Sequence, residues 1–477
     1  MFDERHAHAH AQNRFAVIPT ATKLNAKTEF TGKGITIAFL DSGFYPHPDF
    51  ADRIIKFHDI SGEEKSLNST KPKPHHWHGT QTVSVCAGNG SLSAGIYKGL
   101  ASESNLVLVK VSENGRISDE SIEKGLIWIL ENYQKYNIRV VNMSLGGDMD
   151  AKLEESKINQ LAEKLVELGV VITVAAGNTD DSTSIPPASS PSVITVGGFS
   201  DENNLNPETY KLYHSNFGKT ADGLIKPEII APAMFVAAPI LPESEDYKKA
   251  ESLSVIANSP DYSFRQNFFI NWQQAALPEF ILSTDVSTAR NLVEQELGER
   301  KIVATHYQHV DGTSFAAPIM ASVVAQMLEA NQNLTPASVK NIVTSTASRL
   351  TNFRAIRQGF GILNARLAVE EALKETHFFD YETLTPRRIE GRNIIFLFHD
   401  DNAKSIHLVG DFNNWIQSEN QFFKNENGLW QTEISIPPAG KYRYKFIIDS
   451  KFWKEDTSNG IKEEDGYGGF NSILIIE

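Results

Sequence analysis

Three short segments of the 477-residue chain set a reactive side chain among small or apolar neighbours. In ITIAFLDSG, Ile35–Gly43, an apolar run ends directly on Asp41, which puts the carboxylate at a strand end. In HGTQTVSVCAG, His78 precedes small and apolar residues at helical spacing, which predicts a buried helix opened by His78. In GTSFAAP, Gly312–Pro318, Ser314 opens a second helix, whose small residues allow close packing. An acid, an imidazole and a hydroxyl answer to one chemistry. A serine hydroxyl is a weak nucleophile and needs a base within hydrogen-bond reach. His78 can take that proton and return it to a leaving amine, while Asp41 holds the imidazole tautomer and stabilises the imidazolium. The developing oxyanion needs fixed donors. The Ser314 backbone N–H is one, and the side-chain amide of Asn178, past the apolar run in VITVAAGN, is a second candidate. Taken singly, each residue also has an ordinary use. Asp-Ser-Gly makes a turn, a histidine sits satisfied in a core, a serine caps a helix, and Asn178 beside Gly177 follows a strand as a turn residue.

The elements that would position these groups are legible as a rhythm. Short runs rich in Val, Ile and Leu occur at Ile35–Leu40, Leu106–Val111, Arg139–Met143, Val170–Ala175 and Val193–Val196. They are nearly continuous rather than alternating, as in parallel strands buried on both faces. Helical patterns fall between them at about Asp119–Gln134 and Ala151–Leu168, and later at Ser314–Glu329, Pro336–Ser348 and Leu363–Leu373. Strand–helix–strand repetition predicts a doubly wound, mostly parallel α/β sheet, with ligand chemistry at the carboxyl ends of its strands. From about 239 to 303 the pattern becomes irregular, with an aromatic run at Phe264–Trp272, and reads as an insertion that forms a rim over the site or a plain surface excursion. Residues 377–390 read as a linker. From 391 to 477 the runs are short, alternating and aromatic, separated by Asp, Asn, Pro and Gly, which predicts an all-β, immunoglobulin-like sandwich.

With those elements in place, DSG, HGT, SLGG, AAGN and GTSFAAP, in that order, resemble the signature blocks of the subtilisin-like serine proteases. GFGILNARLAV at Gly359–Val369 resembles the segment that closes that family's catalytic domain, so the domain is assigned to 1–376. The resemblance implies an endopeptidase with Asp41, His78 and Ser314 as triad, Asn178 at the oxyanion, and an extended polypeptide as substrate. It further implies that Ser144, Leu145 and Gly146 form the edge that pairs with substrate backbone, facing Ala175, Ala176 and Gly177 across the S1 pocket. SIPPAS, Ser184–Ser189, is similar to the pocket-base segment that carries a cis proline, here Pro187. Relaxed members have glycine two residues before it; Ile185 stands there, which implies a raised floor and small P1 residues. The chemistry needs no cofactor. Calcium is common in the family, and HPDF makes Asp49 a candidate ligand with Asn89 as a partner. Only about 30 residues precede the first strand, as in intracellular members. Phe15–Pro19 then lies across the cleft or wraps the domain as an arm.

VGDFNNW (Val409–Trp415), YRYKFIID (Tyr442–Asp449) and FWKED (Phe452–Asp456) resemble the glycogen-binding-type carbohydrate module of AMP-activated kinase β subunits. The resemblance implies α-glucan binding by Trp415, Trp453, Lys445 and Asn471, because flat sugar faces suit indole rings. The alternatives are core aromatics or a protein partner.

Bulk composition bounds the rest. With 41% hydrophobic and 22% charged residues, the proportions are those of a folded globular chain. A net charge of −14 argues against a nucleic-acid partner and against an anionic membrane surface. No run of about 18 apolar residues occurs. The single cysteine, Cys86, excludes an internal disulfide framework and fits a reducing compartment, and MFDERHAHAHAQNRF has no apolar core. A cytoplasmic location is the expectation. The alternation of His6, His8 and His10 suits a metal or a solvated terminus. The rival to an enzyme is a latent protease scaffold serving as a glycogen- or protein-binding adaptor.

Overall fold

The computed structural model describes residues 16–476 apart from 68–70, 114, 377–386, 390–392, 401 and 426–427. The histidines at 6, 8 and 10, and Phe15, lie outside the described residues. Seven parallel strands form the central sheet: β1 (Thr36–Asp41), β2 (Ile54–Asp59), β3 (Asn105–Lys110), β4 (Ile138–Met143), β5 (Val171–Ala175), β6 (Ile194–Ser200) and β7 (Ile229–Pro232). Their order is β7-β6-β5-β4-β1-β3-β2, with a short antiparallel piece on β6. Five helices flank them: α1 (His76–Ala87), α2 (Asp119–Asn132), α3 (Lys157–Glu167) and, after the insertion, two that follow the helix carrying Ser314.

The continuous apolar runs are explained by burial on both faces. In β1, Ile37 and Phe39 enter one core with α1, while Ala38 and Leu40 enter the other with α2 and α3. In β3, Leu106 and Leu108 divide from Val107 and Val109 in the same way. The chain order reverses around β1, so the carboxyl ends of β1, β3 and β4 meet at a switch point, where ligands bind in such sheets. Two strands were not legible as runs. Within β2 the sequence IIKFHD lies half exposed, and β7 is only four residues long. Helix α3 begins at Lys157 rather than at Ala151, because the Ser156 side chain accepts from the Asn159 N–H at 3.2 Å and caps it there.

The insertion is not irregular. After β8 (Val236–Pro239) come α4 (Glu245–Ala257), α5 (Asp261–Asn271) and α6 (Val286–Glu299), which share a core of their own built on Leu253, Phe264, Phe268 and Val293. The chain returns through β9 (Ile302–Ala304) and β10 (Tyr307–Val310); β8 and β10 pair antiparallel. Helix α7 (Thr313–Ala330) then runs through the main core, buried from Phe315 to Leu328. It is followed by α8 (Pro336–Thr346) and α9 (Ala365–Lys374). Its small faces let α1, α9 and the strands approach it closely. Among the described residues no helix is long and apolar enough to cross a membrane.

The C-terminal part consists of two antiparallel sheets. One holds β11 (Arg387–Ile389), β12 (Asn393–Phe398), β14 (Phe423–Lys424) and β15 (Trp430–Ser435). The other holds β13 (Ile406–Gly410), β16 (Gly440–Ile448), β17 (Phe452–Lys454), β18 (Lys462–Glu464) and β19 (Phe470–Ile476). Their inner faces share Phe396, Leu408, Trp430, Tyr444 and Phe446. Strand β11 falls inside the segment read as linker and pairs with β12, so the sandwich starts before residue 391. The module is docked on the α/β domain. Ile225 N–H donates to Gly460 O at 3.0 Å, Thr457 Oγ1 donates to Asn341 Oδ1 at 2.8 Å, and Arg354 pairs with Glu464 at 2.6 Å. Ile225, Ala355 and Phe470 form a small apolar cluster across the junction.

Because α7 is packed on all sides, a larger residue there has no space to enter. Ala321→Leu is expected to destabilise the α/β domain by about 1–3 kcal/mol, read from urea denaturation. A midpoint equal to wild type would contradict this packing.

Candidate active site

The carboxyl edge of the sheet collects the reactive residues. Asp41 is the last residue of β1 and is buried. Its Oδ1 accepts from the Ser42 N–H at 2.7 Å and lies 2.7 Å from His78 Nδ1; its Oδ2 accepts from Thr82 Oγ1 at 3.2 Å. With a carboxylate as acceptor, Nδ1 carries the proton and Nε2 keeps its lone pair. Burial works to lower the His78 pKa, but the Asp41 charge and hydrogen bond outweigh it, and the net shift is upward. The imidazole is about one-fifth exposed, so it is reachable from solvent.

His78 lies in the first turn of α1, not at its first residue. What lets that turn approach β1 is Gly79. A β-carbon there would stand 2.3 Å from Gly43 O, 2.9 Å from Phe44 Cε1 and 3.0 Å from Asp41 Cβ. Backbone cannot yield as a side-chain tip can, so any larger residue lifts the helix off the strand end.

Ser314 is the second residue of α7 and half-buried; the ring of the next residue, Phe315, stands 5.9 Å from the His78 ring. Four residues after Ser314 comes Pro318, which has no N–H to give the Ser314 carbonyl. Ser144, just past β4, replaces it, donating Oγ–H to Ser314 O at 2.7 Å. Ser144 is itself approached by Asn142 Nδ2 at 3.1 Å, and Asn142 Oδ1 accepts from Thr173 Oγ1 at 3.2 Å. A polar chain thus links β5, β4 and the turn that carries Ser314. Asn178 lies past β5, and its Oδ1 accepts from both Thr313 N–H and Thr313 Oγ1 at 2.9 Å. Its carbonyl end caps α7, so its NH₂ end is turned away from Thr313. Thr313 and Asn142 were not singled out from the sequence, since a threonine in GTS and an asparagine inside a strand carry no distinct signal there.

Ser144 is buried, Leu145 half-buried and Gly146 exposed, giving an accessible backbone edge. Ile185 lies directly against that edge, with Cδ1 3.0 Å from where a β-carbon on Gly146 would stand. The Gly147 N–H donates to Pro186 O at 2.7 Å, and the Pro186–Pro187 bond is cis. Ala176 is buried, while Ala175 and Gly177 are half-buried; Gly177 has φ +104° and lies against Asn216. Ala16–Pro19 wraps elsewhere. Ile18 N–H donates to Asn203 Oδ1 at 2.9 Å, and Val17 packs with Tyr97, Val303 and Tyr307.

Among the described residues, two groups bear on metals. Asp49 is buried, and its carboxylate accepts from Ser84 Oγ at 3.0 Å, Ser91 Oγ at 3.0 Å and Tyr307 OH at 2.8 Å. The nearby carbonyls of Asp49, Ala87 and Ser104 converge on the guanidinium of Arg53 at 2.7, 2.5 and 3.2 Å, so a cation of the protein already occupies them. Asn89 Oδ1 accepts from Ser91 N–H and does not face Asp49 as a co-ligand; Asn89 meets it by its backbone N–H. The second group is Glu64, His75 and His76, whose ligand atoms lie within 4.8 Å of one another. Lys73 Nζ also sits on Glu64 at 2.9 Å, and His76 Nδ1 accepts from Lys73 N–H, so its Nε2 carries the proton toward Glu64. Glu64 is thus ion-paired with Lys73 and hydrogen-bonded to His75 and His76. Burial alone would raise the Glu64 carboxyl, but these donors pull it down to about 2. Cys86 is buried and its thiol is pushed up by burial, which leaves it inert.

In the module, Trp415, Trp453, Lys445 and Asn471 line one cleft of about 700 Å³. The two indoles stand 6.2 Å apart at 35°, Trp453 is 46% exposed, and Trp415 Nε1 donates to Asp411 Oδ1 at 2.9 Å. Lys445 pairs with Asp465 at 2.5 Å. Tyr467, almost wholly exposed, adds a ring that sequence reasoning missed in a Gly-rich loop.

A parallel α/β sheet that gathers Asp, His and Ser segments at one edge, with an antiparallel sandwich docked behind it, defines a two-domain hydrolase of the serine-nucleophile class. The subtilase family (Peptidase_S8) matches residues 32–362, and carbohydrate-binding module 48 (isoamylase N-terminal domain) matches 384–462. Serine protease AprX of Bacillus subtilis (strain 168) is 30% identical over 372 residues, 74% of this chain and 72% of that protein. The minor extracellular protease Epr of the same organism is 30% identical over 190 residues, 39% of this chain and 27% of that protein. The solved structure of a cold adapted subtilisin-like serine proteinase aligns over 71% of this chain and 89% of its own, at 20% identity and a TM-score of 0.44. The chain belongs to the subtilase family. It is a subtilisin-like serine peptidase with a C-terminal carbohydrate-binding module.

Gly79→Ala should push His78 from Asp41 and lower kcat/KM by roughly 100-fold, measured on a chromogenic peptide. Unchanged turnover would show that α1 does not need that close approach.

Proposed function

We propose that the chain is an endopeptidase that cleaves extended polypeptide segments through an acyl-enzyme on Ser314. The observation that carries the reading is the His78–Asp41 contact at the sheet edge, beside the turn that holds Ser314. Ser314 Oγ attacks the scissile carbonyl while His78 Nε2 takes its proton, and the imidazolium formed is stabilised by Asp41. The amide of Asn178 and the Ser314 N–H, one of the helix's unpaired first-turn donors, receive the oxyanion. The imidazolium then protonates the leaving amine, and water repeats the cycle on the ester. The edge at Ser144, Leu145 and Gly146 pairs with substrate backbone, opposite Ala175, Ala176 and Gly177. Ile185, pressed against Gly146, reduces the depth of the S1 pocket and favours small P1 side chains. No step calls for a cofactor. With its oxygens taken by Ser84, Ser91 and Tyr307, Asp49 serves as a buried structural hub rather than as a calcium ligand.

The module's cleft suits an α-glucan. Two indole faces, one held by Asp411, with Lys445 and Asn471 lining the same cleft, offer stacking and hydroxyl partners to a flat polyhydroxy ligand. Binding there would localise proteolysis on a glucan particle.

A fluorophosphonate probe should label the wild type, and Ser314→Ala should abolish the label. An unlabelled wild type would favour the scaffold reading instead. In a peptide-library profile, Ile185→Gly is expected to shift P1 preference toward larger residues by tenfold or more, on the order of one buried methylene or two. The same profile in both proteins would refute the raised floor.

A further inference from the structure

The glucan-type cleft of the module is lined by one residue that does not belong to the module. Arg349 follows α8 in the peptidase domain, yet it lines the same cleft as Trp415, Trp453, Lys445 and Asn471. Its side chain is anchored on both sides of the junction. The Nε–H donates to Gly359 O of its own domain at 2.6 Å, and Nη2 is ion-paired with Glu455 of the module. The guanidinium stands 5.5 Å from the ring of Phe360 and 5.1 Å from that of Phe470, one aromatic from each domain. Its Nη1 comes within 3.4 Å of where a β-carbon on Gly469 would be, beneath the glycine loop that edges the cleft.

Arginine has five N–H donors in a rigid fork. Gly359 and Glu455 use two of them, and the side chain is about one-fifth exposed and lines the cleft. The charges around the cleft are balanced: Arg349 faces Glu455, Lys445 faces Asp465, and Arg443 faces Asp411. A phosphate or acidic peptide would find each cation already matched. A neutral ligand rich in hydroxyls finds donors and acceptors in fixed places between two indoles.

We propose that Arg349 is a carbohydrate-contacting residue supplied across the domain junction, so that an α-glucan in the Trp415–Trp453 cleft is held by both domains at once. This rests on the sugar reading of the cleft. A ligand that touches both domains binds the docked arrangement, and by linkage it stabilises the docking. Glucan recognition is then a property of the whole chain, and the bound glucan clamps the peptidase to its module.

The test uses the full chain and maltoheptaose, followed by titration calorimetry. Wild type should bind, Trp415→Ala should lose binding, and Arg349→Ala should bind roughly tenfold more weakly, as expected for a lost charge-assisted hydrogen bond. Arg349→Lys, which keeps the charge beside Glu455 and loses the fork, should fall between and covers the case in which the alanine variant does not fold. Saturating maltoheptaose should also slow amide exchange at the Ile225–Gly460 contact in wild type, and less so in Arg349→Lys. If Trp415→Ala loses binding while both Arg349 variants bind as wild type, the sugar reading stands and the junction role is overturned. If the wild type does not bind, or Trp415→Ala binds equally well, both are overturned.

Discussion

How near the first turn of α1 comes to the end of β1 governs the rest of this molecule. At 2.7 Å from Asp41, the His78 ring is held in one tautomer with its pKa raised, and a slightly larger gap would leave a partly exposed imidazole with no orientation. That approach exists because position 79 has no side chain and the Gly43 carbonyl fills the space. The contact also determines where α7 runs, since α1 and α7 pack on each other within one core and bring Phe315 against the His78 ring.

The second constraint is a missing hydrogen bond. Pro318 inside α7 leaves the Ser314 carbonyl without its helical partner, and a buried carbonyl left unpaired costs on the order of 1–3 kcal/mol. Ser144 makes the bond instead, and with Asn142 and Thr173 it ties the first turn of α7 to β4 and β5. The strand edge that a substrate would pair with and the turn that would attack it are therefore one hydrogen-bonded unit. Asn178 adds the second tie, capping α7 with its carbonyl oxygen. The helix that presents Ser314 is located from both sides before any ligand arrives.

The sandwich is not an appendage on a flexible tether in the docked arrangement. Polar contacts at Asn341, Arg349 and Arg354 surround the apolar patch of Ile225, Ala355 and Phe470. The cleft lined by Trp415 and Trp453 reaches that junction, where Arg349 of the peptidase domain joins the module residues around it.

Much of this was written in local sequence. Runs such as ITIAFLD and VITVA are apolar on both alternating faces, with Thr and Asp the exceptions, so they must be buried on two sides, and that requirement leads to a parallel sheet covered by helices. The short aromatic runs after residue 391 led to a sandwich for the same kind of reason, and the spacing of Asp41, His78, Asn178 and Ser314 at strand ends and helix starts pointed to one edge. What local sequence did not carry were features made by distant partners. IIKFHD reads as polar until its place at the sheet margin is known, and the insertion reads as irregular because its helices are amphipathic only toward one another. HPDF carried no hint that the hydroxyls of Ser84, Ser91 and the distant Tyr307 converge on Asp49. Arg349 carried no signal in the sequence, and only docking puts it beside Trp415 and Trp453. Periodicity and residue type report whether a segment is buried; which partner satisfies its hydrogen bonds and charges depends on long-range packing, and that is decided only when the chain is folded.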